Sequence, residues 1–233
     1  MTEIYVGTSG WLYSWNLGSS LDWYVENSGL NAVELNASFY RYPSEKQIRS
    51  WVSKGSSLRW AVKINRSVSH VYRLREKSIE SWRRFRELFE PMKRLIDFYL
   101  LQLPPSYVYS DDHVERIRRF LREASESRIA IEFRHETWFE LNKEYLCSEF
   151  RGSVIVSVDS PERTWFIDCE GIVYLRLHGR TAWYLHEYTR EELEEITEEI
   201  ASLDPDKVYV FFNNNHWMLS NAREMLKLLR ERL

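Results

Sequence analysis

Eight short runs rich in β-branched and aromatic residues recur along the chain, at positions 3–8, 31–36, 59–64, 97–103, 129–134, 153–158, 172–178 and 207–212, separated mostly by stretches of helical period. Strands that alternate with helices predict a parallel sheet, because parallel neighbours need a crossover long enough to hold a helix. Eight such units in 233 residues predict closure into a TIM-type (β/α)8 barrel. An open doubly wound sheet is the alternative, but no G-x-G-x-x-G follows the first run. One unit breaks the rhythm. Between Asp159 and Gly171 the segment SPERTWFIDCE is too short for a helix plus its turns, so the barrel is expected to be irregular, with a loop replacing one outer helix. No linker or low-complexity segment interrupts the chain, which is read as a single barrel domain over 1–233.

The helices carry their own signals. Ser44 and Gln47 make a capping-box pattern after Pro43, followed by Ile48, Trp51 and Val52 on one face. Ile79, Trp82, Phe85, Phe89 and Met92 recur at three- and four-residue steps through a charged stretch. Thr189 and Glu192 repeat the capping pattern before Leu193, Ile196, Ile200 and Leu203, and Leu219, Ala222, Leu226 and Leu229 mark a final helix. The basic run from Arg73 to Arg94 is interspersed with Glu76, Glu80, Glu87 and Glu90, so it reads as a solvated outer face, as does the acidic EELEEITEEI.

Charge narrows the function classes. With 32 Lys and Arg against 35 Asp and Glu, the net charge of -3 supplies no field that would recruit nucleic acid or an anionic membrane. Cys147 and Cys169 form no C-x-x-C pair, so neither a zinc site nor a disulfide framework is expected. No signal peptide and no run of membrane-spanning length is read, and a reduced, cytoplasmic protein is the expectation.

Barrel sites are built at the C-terminal ends of strands. Here the segment IAIEFRHETW at 129–138 is the clearest case: Ile129, Ile131 and Phe133 alternate with Ala130, Glu132 and Arg134, and His135 and Trp138 follow at the exit. The other runs end similarly: the first with Thr8, Ser9, Gly10 and Trp11, the second with Glu34 and Asn36, the third with Lys63 and the fourth with Gln102. Asp159 follows the sixth, Arg176 and His178 end the seventh, and Asn213 and Asn214 close the eighth. Each residue alone could be a solvated terminus or half of a structural ion pair. As a set they offer Glu34, Glu132 and Asp159 for general-base work, His178 for proton transfer, and Lys63, Arg134 and Arg176 for an anion.

A small anionic ligand is therefore the expected partner, with Asn36, His70, Gln102, His135 and Asn213 around it. Trp11, Tyr40 and Trp138 could stack on a sugar or base, as could Trp183, Tyr184 and Trp217. The expected reaction is acid–base or hydrolytic chemistry at the C-terminal mouth on an anion such as a phosphate-bearing sugar or a nucleotide-like compound. One alternative is a non-catalytic binder of a ligand or single-stranded nucleic acid. Another is a metal-dependent phosphodiesterase, in which Glu132, Asp159 and His178 would hold a divalent ion; these three lack diagnostic spacing, and the metal question stays open.

GTSGW at 7–11, VELNASFYRYPS at 33–44, WAVKINRSVSH at 60–70, LLQLPPS at 100–106, IEFRHETW at 131–138, VDSP at 158–161, YLRLHG at 174–179 and FFNNN at 211–215 together resemble the ordered motifs of the YecE-like family, domain of unknown function 72. The resemblance implies a TIM-type barrel and places family motifs on Glu34, Asn36, Lys63, His70, Gln102, Glu132, Arg134, His135, Asp159, Arg176, His178 and Asn213. It implies no reaction and no substrate. The compact segment RTAWYLHEYT after LHG is expected to trim the loops framing the mouth.

Overall fold

The computed structural model of the protein describes residues 1–124 and 128–233. Eight parallel strands form one closed sheet: β1 (Glu3–Thr8), β2 (Ala32–Leu35), β3 (Arg59–Lys63), β4 (Ile96–Gln102), β5 (Ile129–Glu132), β6 (Ser153–Ser160), β8 (Ile172–Leu177) and β9 (Lys207–Phe212). The sheet runs β5-β4-β3-β2-β1-β9-β8-β6, and β5 also pairs with β6 to complete the (β/α)8 barrel. Each of the eight expected runs is a strand. The short segment after Asp159 contains no helix, as expected, but it is not a plain loop: Arg163–Trp165 (β7) folds back antiparallel on β6, opposing Thr164 to Asp159. A three-residue strand paired at one end leaves no periodicity in sequence to read.

The helices are α1 (Leu21–Asn27), α2 (Glu45–Lys54), α3 (Glu76–Leu88), α4 (Asp111–Glu123), α5 (Glu136–Phe139), α6 (Lys143–Glu149), α7 (Arg190–Ser202) and α8 (Met218–Arg232). Both capping patterns form. Gln47 N donates to Ser44 Oγ and the Gln47 amide oxygen accepts from Ser44 N, while Thr189 and Glu192 make the reciprocal pair before α7. α4 begins at Ser110, whose hydroxyl accepts from His113 N, with Asp111 and Asp112 favourably placed in its first turn. Among the described residues no helix is long and apolar enough to cross a membrane.

The chain divides into two compact units. One comprises Met1–Glu34, Lys54–Arg59 and Val156–Leu233; the other comprises Leu35–Ser53 and Trp60–Ile155. In the first, α8 buries Leu219, Ala222, Met225, Leu226 and Leu229, and Tyr5, Tyr209 and Tyr174 stack in succession at 4.8 and 6.3 Å. In the second, fully buried Trp82 of α3 meets Tyr99 of β4 edge-on at 5.0 Å and Phe120 of α4 at 5.5 Å. These ring contacts account for much of the aromatic supply as packing.

Both cysteines depart from expectation. Cys147 and Cys169 are each disulfide-bonded, and no free cysteine occurs among the described residues. Disulfide formation depends on how closely folding brings Cβ atoms together, which sequence separation does not reveal. Cysteine spacing therefore gives no ground for a reducing compartment.

Close strand approach explains one glycine. At Gly7 in β1 a Cβ would stand 2.3 Å from the carbonyl oxygen of Ala32, its partner in β2. Gly7→Ala is expected to lower stability by about 1–3 kcal/mol or more in chemical denaturation. An unchanged midpoint would mean that β1 and β2 separate at little cost.

Candidate functional site

In the first unit two networks occupy strand ends. Glu34 of β2 and Arg176 of β8 are both 0% exposed and meet in a two-point pair, with Nε donating to Oε2 at 3.0 Å and Nη2 to Oε1 at 2.6 Å. Ser9 Oγ donates to Oε1 at 2.8 Å and Tyr174 OH to Oε2 at 3.0 Å. Four donors saturate the carboxylate, and such saturation is what lets a charged pair persist without water. Tyr174 precedes Arg176 by two residues and so shares its face of β8.

Asp159 is held as firmly. Thr164 Oγ1 donates to Oδ1 at 2.5 Å, Tyr188 OH to Oδ2 at 2.6 Å, and Arg180 Nε lies 3.2 Å from Oδ1. Burial, with the Asp159 charge beside it, pushes the Tyr188 hydroxyl pKa far up, so this group remains a donor. Gly179 N donates to Tyr188 OH, and Gly179 lies at φ +104° where a Cβ would stand 2.6 Å from His186 Cβ. The tight turn this permits brings the post-β8 loop back onto the strand end. His186, set between Thr181 Oγ1 and Glu192, braces that loop against α7.

His178 is fully buried beside Trp183 and Tyr184, with ring centroids at 5.4 and 5.7 Å. Its Nδ1 lies 3.3 Å from Asn213 Nδ2; with the amide donating, the imidazole hydrogen sits on Nε2. Asn214 is a strap rather than a ligand group, donating to His186 O and Asn221 Oδ1. Trp11 is 8% exposed, and its carbonyl accepts from Asn16 Nδ2.

The second unit gathers the cations. Lys63 ends β3 with its Nζ 4.5 Å from the Phe39 ring centroid, and His70 meets the same ring edge-on at 4.9 Å. Ser38 Oγ donates to the carbonyls of Leu35 and Lys63, and Asn65 Nδ2 donates to Ser38 O, which fixes the two strand ends together. His70 lies in a single π-helical turn, Ser67–Val71, a local irregularity frequent at functional sites. Burial, then the charges of Lys63, Arg66, Arg134 and Arg73, depress its pKa to about 4. Arg134 pairs with fully buried Glu132 at 2.6 Å.

The remaining expected residues of this unit divide by environment. Gln102, at the end of β4, pairs in register with Glu132 and is half-buried, as is Asn36, whose Oδ1 is buried with no hydrogen-bond partner. Tyr40 is 72% exposed and free to offer a ring face. His135 instead caps α5, its Nδ1 accepting from Thr137 N. Trp138, expected to stack on a ligand, is fully buried, lies 4.2 Å from Phe133 ring to ring, and donates through Nε1 to Tyr107 O. An apolar ring one turn into α5 is drawn into the core by the area it buries.

Sequence reasoning did not single out Arg180, Tyr188, Phe39, Asn65, Arg66 or Arg73 for the site. Tyr174 and Ser9 had a signal in their spacing from Arg176 and Thr8; Arg180 and Tyr188 had none, because only the folded-back loop brings them to Asp159. Among the described residues no group of three His, Cys, Asp or Glu side chains is placed to hold a metal ion, so Glu132, Asp159 and His178 form no assembled ligand set.

Two outcomes follow from these environments. Glu34→Ala strands a fully buried guanidinium and is expected to cost about 3–5 kcal/mol in denaturant unfolding, with Glu34→Gln costing less; a loss under about 1 kcal/mol would mean that water reaches Arg176. His70 is the reverse of a protonated anchor. Its pKa is depressed to about 4 in the folded chain, while an unfolded histidine titrates near ~6.5. Its contribution to stability is complete above about pH 6.5 and is lost as pH falls towards 4. His70→Gln should therefore flatten the fall of Tm over that interval, and identical pH profiles for the two proteins would contradict the assignment.

Comparison with known proteins accords with the strand order. Residues 5–233 match the family model "Protein of unknown function DUF72". The UPF0759 protein YunF of Bacillus subtilis (strain 168) is 25% identical, over 97% of this chain and 94% of its own. A DUF72 family protein from Thermotoga maritima MSB8 superposes with a TM-score of 0.79 at 28% identity, covering 98% of each chain. One from Enterococcus faecalis V583 gives 0.83 at 21%, over 97% of this chain and 95% of that one. A xylose isomerase domain containing protein from Salmonella typhimurium LT2 is alike in fold alone, with a TM-score of 0.57 at 13% identity over 99% and 96% of the two chains. A parallel barrel with these strand ends, matched by the family model over nearly its whole length, belongs to the DUF72 family.

Proposed function

We propose that the protein is a barrel enzyme that performs acid–base chemistry on a small anionic substrate, with the anion held in the second unit. The observation that carries this reading is the crowding of Lys63, Arg66, Arg73 and Arg134 around the uncharged imidazole of His70. Like charges gathered at a partly buried strand end repel one another, and an anionic ligand relieves that repulsion. Glu132, fully buried at the end of β5, is the candidate general base of this unit, held in orientation by Arg134. Asn36 Oδ1 and Gln102 are the neutral groups assigned to substrate hydroxyls, and exposed Tyr40 to an apolar or sugar face.

Within the first unit the roles separate. Glu34 and Asp159 are assigned to positioning, since their acceptor sites are filled by Arg176, Tyr174, Ser9, Tyr188, Thr164 and Arg180. The proton-transfer role there falls to His178, oriented by Asn213.

The test is a turnover screen of the full chain against small sugar phosphates and hydroxycarboxylates, read by mass spectrometry, beside Glu132→Gln. Turnover should fall by about 10²–10⁴-fold in the variant while its circular dichroism and Tm are kept. Full activity in a folded variant would remove Glu132 from the mechanism. Salt-dependent binding of these anions without any product would replace the enzyme with a binding protein.

A further inference from the structure

A cavity of about 400 Å³ lies between the start of α2 and the end of α3, within the second unit and lined by none of the strand-end groups described above. Its apolar wall is made by Pro43, Ile48, Leu88 and Pro91. Ile48 is buried, and both prolines stand in fixed turns: Pro43 before the Ser44–Gln47 capping pair, and Pro91 in the single 3-10 turn Glu90–Met92 that follows α3. A fixed φ at each proline sets this wall before any ligand arrives. The volume is that of a small-molecule site, where an apolar wall is combined with a few placed polar groups.

Two guanidiniums and two carboxylates line the same space. Glu45 and Arg49 satisfy each other, with Nη1 3.1 Å from Oε2. Arg84 and Glu87 do not. They stand three residues apart on α3, a spacing that suits an ion pair, yet the Arg84 guanidinium lies over the Tyr42 ring instead, 5.4 Å from its centroid. Tyr42 is itself anchored: its hydroxyl donates to Ser81 O at 3.3 Å, and its ring meets fully buried Phe85 edge-on at 5.7 Å. The guanidinium is thus placed by a ring that packing holds, and among the described residues neither Arg84 nor Glu87 has an ion-pair partner.

This unmatched pair selects the ligand. An acid that pairs with Arg84 meets the carboxylate of Glu87 in the same cavity, and an amine that pairs with Glu87 meets Arg84. A molecule that carries both charges and an apolar group answers every feature at once. We propose that the cavity binds an α-amino acid with a large apolar side chain: its carboxylate pairs with Arg84, its ammonium with Glu87, and its side chain lies against Pro43, Ile48, Leu88 and Pro91. Two Arg and two Glu leave the lining with no net charge, as a zwitterion requires. The site is separate from the strand-end networks and does not depend on the anion reading above.

The experiment titrates the full chain with L-phenylalanine at about pH 7, where both its termini are charged. Phenylacetate, which lacks the ammonium, and phenethylamine, which lacks the carboxylate, are the controls. Affinity is followed by calorimetry, and the Ile48 and Leu88 methyl groups by NMR. L-Phenylalanine should shift both residues' signals and bind at least about tenfold more tightly than either control. Arg84→Gln and Glu87→Gln, both at exposed positions where Tm is expected to hold, should each weaken it about tenfold or more. Equal affinity for phenylacetate or phenethylamine would overturn the zwitterion assignment, and so would an affinity unchanged in both variants. Unmoved Ile48 and Leu88 signals at about 10 mM L-phenylalanine would overturn the site itself. None of these results bears on turnover at the strand ends.

Discussion

A carboxylate and a guanidinium without any contact with water, Glu34 and Arg176, constrain the first unit more than any other pair. Each ion would carry a desolvation penalty of several kcal/mol alone, so the surroundings must complete every hydrogen bond. Ser9 after β1 and Tyr174 on β8 do this, and through the carboxylate three strands, β1, β2 and β8, are tied at their C-terminal ends. Asp159 repeats the principle with Thr164, Tyr188 and Arg180, fastening the β7 hairpin and the post-β8 loop to the end of β6. Filled hydrogen-bond networks of this kind hold the strand-end side chains in one geometry.

The second unit handles charge by the opposite arrangement. Its cations lie at the end of β3, on either side of the π-helical turn and just after β5, and together with burial, the larger cause, they keep His70 uncharged. The apolar Phe39 ring lies against both Lys63 and His70, lowering the local polarity that would otherwise screen them. In this region the histidine is kept uncharged and the Ser67 hydroxyl is buried without a hydrogen-bond partner.

Much of the fold was legible. All eight barrel strands follow from residue type and period, and β1 and β9 coincide with the expected runs at both ends. Glu34 with Arg176, and Glu132 with Arg134, could be singled out because strand alternation puts each charged residue on a polar face and barrel architecture gathers strand ends. The β7 hairpin, the pairing of Arg180 and Tyr188 with Asp159 and the state of the two cysteines could not be read, since each depends on where a loop returns. Trp138 misled because its position after β5 resembles that of a stacking residue, whereas its ring is packed on Phe133.

By itself the sequence determined the sheet, the order of its crossovers and the identity of the polar groups at each strand end, because side-chain alternation and helical period are local properties of the chain. Only the tertiary structure decided what those groups do. It committed Glu34 and Asp159 to saturated networks, drew Trp138 into the core, and left His70 neutral among four cations. Whether a carboxylate or an imidazole is engaged, and by which donor, depends on distances between residues remote in sequence and on the water excluded around them, and neither quantity exists until the chain has folded.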